Sequence, residues 1–83
     1  MRFYFITFRS VTFAQRGEKV LGGKFRCSLQ RTPRWMEAQG CGYALKIWTK
    51  DVIPAVEMLR EKQIPLRKIY VQREDGQLEE LTV

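Results

Sequence analysis

The chain of 83 residues holds two cysteines and no histidine, and the two thiols stand in opposite settings. Cys41 lies between Gly40 and Gly42 in RTPRWMEAQGCGY, residues 31–43, the longest stretch with neither helical nor strand periodicity. Flanking glycines offer no side chains to shield a thiol and allow φ > 0 on either side, so this pattern presents the sulfur outward. Pro33 fixes φ and biases Thr32 toward an extended conformation, and Arg31 and Arg34 bring positive charge close in sequence. Cations and local backbone N–H groups lower a thiol's pKa from its free value of about 8.5, which yields a nucleophilic thiolate at neutral pH. Such chemistry needs no imidazole. The same residues also admit a plainer role, with Cys41 a small side chain at a tight turn and the two arginines solvated charges.

Something must hold that loop, and the flanking periodicities predict what. Residues 3–8, FYFITF, form an aromatic and β-branched run with apolar residues on both faces, which suits a central strand. Ser10 offers an N-cap to an amphipathic helix in which Phe13, Ala14, Gly17, Val20 and Leu21 recur at three- and four-residue intervals, and Gly22-Gly23 stops it. From Lys24 the period becomes two, with Phe25, Cys27 and Leu29 on one face. Cys27 is therefore expected as a small buried hydrophobe, the common fate of a free cysteine.

After the loop, whose Trp35 and Met36 either plug it onto the domain or mark a contact surface, residues 43–48 predict a third strand. Thr49 or Asp51 then caps a second helix with Pro54 in its first turn and a stripe of Val52, Ile53, Val56, Met58 and Leu59. Residues 66–72 predict a fourth strand. The Asp75-Gly76 turn leaves residues 73–83 either to fold back as a short edge strand or to fray. The order β-α-β-β-α-β predicts an α+β, ferredoxin-like sandwich over residues 1–83, an antiparallel sheet with two helices on one face.

One small domain of this length buries only about 60% of its unfolded surface, so self-association is open to it. Fifteen Lys and Arg against nine Asp and Glu give a net charge of +6, which favours anionic partners without naming them. Two cysteines without histidine argue against a zinc site, and neither a metal nor a cofactor is expected. No apolar run approaches the roughly 18 residues of a membrane span, and MRFYFITFRS is too short and too aromatic for a cleavable signal, so a cytoplasmic protein with reduced thiols is expected. No acid–base pair is evident, which argues against an enzyme.

Over nearly its whole length the sequence resembles the small bacterial proteins described as putative selenium/sulfur carrier protein-like. The residues that carry the resemblance are YFITFRS with Ala14 and Glu18 after it, the Thr32-Pro33-Arg34 run, and Cys41-Gly42 leading into an apolar strand. Ala38, Gln39 and Gly40 stand where such proteins commonly place serines. The resemblance implies a thiol carrier in which Cys41 bears sulfane sulfur or selenium. Gly40, Gly42, Arg31, Pro33 and Arg34 would surround that cargo, and donor and acceptor proteins would be the partners.

Two other readings use the fold rather than the thiol. Gly42-Tyr43-Ala44 matches the start of the third-strand consensus of RNA-recognition motifs. Leu45 and Lys46 then stand where an aromatic and a valine belong, so a stacking platform is missing and nucleic acid is disfavoured. A regulatory domain that dimerises through its open sheet face is the third reading, because Phe3 and Phe5 lie on the opposite face of the first strand from Tyr4, Ile6 and Phe8.

Overall fold

The computed structural model describes residues 2–32, 42–49 and 52–81. Its elements are β1 (Arg2–Thr7), α1 (Val11–Leu21), β2 (Arg26–Arg31), β3 (Tyr43–Thr49), α2 (Ile53–Glu61), β4 (Ile69–Gln72) and β5 (Leu78–Leu81). The strands form one sheet in the order β2-β3-β1-β4-β5, and every neighbouring pair is antiparallel. The fold is thus α+β, with two helices and five strands among the described residues. The fifth strand settles how the chain continues after the Asp75-Gly76 turn: Gly76 takes φ +86, Gln77 N–H donates to Asp75 Oδ1 at 3.0 Å, and β5 pairs with β4 from Gln72↔Leu78 to Ile69↔Leu81.

Register sorts the side chains onto two faces, because neighbours across a ladder point the same way. Tyr4 pairs with Ile47 and Val71, Ile6 with Leu45 and Ile69, and Cys27 with Ile47. These residues share one core with Ala14 and Leu21 of α1 and Ala55, Val56 and Leu59 of α2. Phe8, just past β1, is wholly buried in it. The reverse face carries Phe3, Phe5, Lys46, Trp48 and Tyr70.

Helix α1 forms as its pattern predicts. Phe13 N–H donates to Ser10 Oγ at 3.3 Å, and Ala14, Gly17 and Leu21 are buried. Glycine within a helix costs about 1 kcal/mol relative to alanine, and the packing shows why it is present here. A Cβ at Gly17 would lie 2.9 Å from Phe8 Cζ and 3.5 Å from Leu59 Cδ2. Gly17→Val is therefore expected to overpack the α1–α2 contact and lower stability by about 1–3 kcal/mol, measured as a fall in the urea midpoint.

Two boundaries differ from the sequence expectation. The N-cap of helix α2 is Val52, without a side-chain cap bond, rather than Thr49, which ends β3; Asp51 lies outside the described residues. Val52 is instead buried, and its carbonyl accepts from Val56 N–H at 3.0 Å, so apolar packing sets the start of this helix. Pro54 does lie in the first turn. Strand β4 begins at Ile69 rather than Leu66, because Thr7 faces two residues at once: its N–H donates to Lys68 O at 2.9 Å and its carbonyl accepts from Arg67 N–H at 2.8 Å, while its Oγ1 accepts from Lys68 N–H at 3.0 Å and donates to Lys68 O at 3.2 Å. The helix end also holds a surprise. Gln63, not a glycine, adopts the left-handed conformation with φ 58, and Ile64 N–H closes back on Leu59 O at 2.9 Å.

Candidate thiol-presenting site

Strands β2 and β3 are the two arms that flank residues 33–41, which lie outside the described residues. Their ladder runs from Arg26↔Trp48 to Arg31↔Tyr43, and one further bond, Thr32 N–H to Gly42 O at 3.0 Å, closes the neck. Gly42 sits at φ +81 with nothing within 4 Å of where a Cβ would project. The requirement for glycine there is thus backbone conformation and not space, as the Cys-Gly reading expected on that side. Arg31 is exposed on the last residue of β2, its guanidinium 5.7 Å from the centre of the Tyr43 ring. Thr32 Oγ1 is buried at the neck and has no hydrogen-bond partner among the described residues. Of the site residues expected from sequence, Arg31 and Gly42 are thereby brought together. Pro33, Arg34, Gly40 and Cys41 lie outside the described residues.

The other thiol is built for a different life. Cys27 faces the core opposite Ile47, half-buried, and burial first and the Glu18 carboxylate second push its pKa above the ordinary thiol value. Both effects penalise the thiolate, so Cys27 is neutral at pH 7. Glu18 also has a structural task that sequence reasoning left unassigned: its Oε2 accepts from Leu29 N–H at 3.0 Å, tying α1 to the edge strand β2. Its position one turn before the Gly22-Gly23 stop was the only signal available.

Linkage gives the sign of the pH effect. A thiol with a raised native pKa contributes stability that is fully present below its unfolded pKa of about 8.5 and is lost as pH rises through the folded value. The wild type is therefore expected to lose stability above about pH 8.5 relative to Cys27→Ala, as measured by urea midpoints across pH. Glu18→Gln should shrink that difference, because it removes the second cause of the shift.

Beyond the neck, the reverse face carries Phe3 and Phe5, as the first strand's pattern led one to expect, and adds Lys46 and Trp48, which the sequence reading did not place there. Lys46 Nζ lies 4.5 Å from the Phe3 ring centre, 5.1 Å from Trp48 and 5.8 Å from Phe5, and Phe3 and Trp48 meet edge to face at 5.2 Å. Each such contact at an exposed site is worth about 0.5–1 kcal/mol. The signal was present as alternation: Phe3 and Phe5 on one strand, Lys46 and Trp48 on its neighbour.

The described residues thus form a β2–β3 hairpin whose ends, Thr32 and Gly42, flank residues 33–41, on an α+β sheet that packs Cys27 against its core. In comparison with known families, the family described as "Putative Se/S carrier protein-like" matches residues 3–71, and the chain belongs to it. The match takes in both helices and the loop and stops short of β5. No curated protein and no solved structure matches the chain. No helix among the described residues is long and apolar enough to cross a membrane.

Proposed function

We propose that this protein is a thiol carrier that accepts one sulfane sulfur or selenium atom on Cys41 and passes it on. The carrying observation is the family membership over residues 3–71 together with a second cysteine held neutral in the core, which leaves Cys41 as the thiol for the chemistry. In the loading step the Cys41 thiolate attacks the outer sulfur of a donor persulfide. The new S–S bond forms as the donor's S–S bond breaks, and the donor leaves as a thiolate. Unloading repeats the exchange, with an acceptor thiolate attacking the outer sulfur and Cys41 as leaving group. Neither step has a net oxidant or reductant.

Arg31 and Arg34 would lower the pKa of Cys41, and Gly40, Gly42 and Pro33 would shape the loop around it. Thr32 Oγ1, buried at the neck with no partner among the described residues, supports a further part: it would supply the hydroxyl that the serines absent at 38–40 would otherwise give. Donor and acceptor proteins are the partners of this reading, in a bacterial cytoplasm where thiols stay reduced. The sheet order β2-β3-β1-β4 supports a ferredoxin-like core to which β5 is appended at the edge. The test is loading by a low-molecular-weight persulfide, read by intact mass and peptide mapping: one sulfur atom on Cys41 supports the carrier, and no transferable sulfur there contradicts it.

A further inference from the structure

We propose that the sheet face opposite the helices binds single-stranded nucleic acid, with bases stacked on Phe3, Phe5 and Trp48 and phosphates met by Lys46 and Arg26. The three rings belong to the two adjacent strands β1 and β3 and are all partly exposed. Phe3 and Phe5 stand two residues apart on one strand, about 7 Å at ~3.4 Å per residue, which suits successive unstacked bases. Lys46 rises between the rings, and Arg26, opposite Trp48 in the ladder, is exposed at the edge. Neither cation has a carboxylate partner among the described residues, whereas the other lysine on this face, Lys68, is spent on Glu80 at 3.2 Å. Beside Phe5 a shallow depression lined by Gln72, Gln77 and Leu78 offers amides to a base edge.

The RNA-recognition consensus places an aromatic at position 45 and a valine at 46. By register Leu45 faces the core, and the stacking surface is instead supplied by Phe3, Phe5 and Trp48. The net charge of +6 matches a polyanion. Charge also decides against a second copy as the occupant. A two-fold contact centred on this face would bring Lys46 toward the Lys46 of its mate and desolvate two like charges without partners.

The test is anisotropy of fluorescein-labelled decauridylate and decathymidylate with the full chain, at low salt and at rising salt, with a duplex of the same length as control. Expected results are preference for the single strands, affinity that falls with salt, and a loss of about tenfold in Trp48→Leu, the low end of what one stacked base supplies. Lys46→Gln should weaken binding, and Arg60→Gln, on the exposed side of α2, should do so much less. Circular dichroism establishes that each variant is folded. The proposal is overturned by absence of binding at low salt, by equal losses in Lys46→Gln and Arg60→Gln, or by a dimer in sedimentation that Trp48→Leu dissociates. These outcomes leave sulfur loading on Cys41 untouched, so the two readings fail separately.

Discussion

Replacing Phe8 by alanine is expected to remove about 3–5 kcal/mol of stability, the largest effect of any single truncation in this core. Phe8 has no exposed surface, its ring lies against Gly17 of α1, and it shares the core with Leu59 of α2, which also lies beside Gly17. The helices cannot close the void cheaply, because Gly17 brings no side chain toward it and Leu59 is itself fully buried. A domain of this size has about 4–12 kcal/mol in all, so the variant should be substantially unfolded at 37 °C. Urea denaturation followed by circular dichroism measures it. A loss below about 1 kcal/mol, no more than a well-tolerated core swap, would show that Phe8 does not link the two layers.

The second large effect falls on function. Cys41→Ser is expected to abolish sulfur loading, because a hydroxyl at pH 7 is neither ionised nor able to form the S–S bond that holds the cargo. Cys27→Ser should load as the wild type does, since Cys27 is neutral and faces the core. Intact mass after exposure to a small persulfide, followed by incubation with an acceptor thiol, reads both halves of the exchange. Arg31→Gln occupies the middle ground. It removes the one described cation at the loop neck and should slow loading severalfold while leaving the fold intact, since Arg31 is exposed.

Much of the architecture was legible wherever periodicity and packing agree. The Ser10 cap, the Ala14, Gly17 and Leu21 stripe, and the apolar side of β2 that takes Cys27 all follow from spacing alone, because a 3.6 or 2.0 period fixes which side chains share a face. What escaped was decided by tertiary contact. Thr7 and Lys68 are 61 residues apart, and the doubled pairing of Thr7 with Arg67 and Lys68, which delays β4, leaves no local mark. Val52 starts α2 by being buried, whereas Thr49, which looked like a cap, ends β3. Gln63 adopts a conformation that sequence assigns to glycine or asparagine, held there by the closing bond to Leu59.

The candidate site divides along the same line. Gly42 carries the positive φ that its type suggested, and Arg31 stands at the neck as sequence proximity implied. Thr32 escaped because a buried hydroxyl is visible only once both arms of the hairpin are in place. Phe3 and Phe5 were legible on the open face from the alternation of β1, whereas Trp48 and Lys46 escaped because they join them only across the β1–β3 ladder, where Phe3 meets Trp48 and Phe5 meets Lys46.

The pH dependence of iodoacetamide labelling in Cys27→Ser and Cys41→Ser, read by intact mass, tests the carrier account most directly. The account predicts that Cys41, the thiol left in Cys27→Ser, labels fast with an apparent pKa well below the free value of about 8.5, and that Cys27, left in Cys41→Ser, labels slowly with one above it. Slow labelling of Cys41, or an apparent pKa no lower than that of a free cysteine, would contradict it.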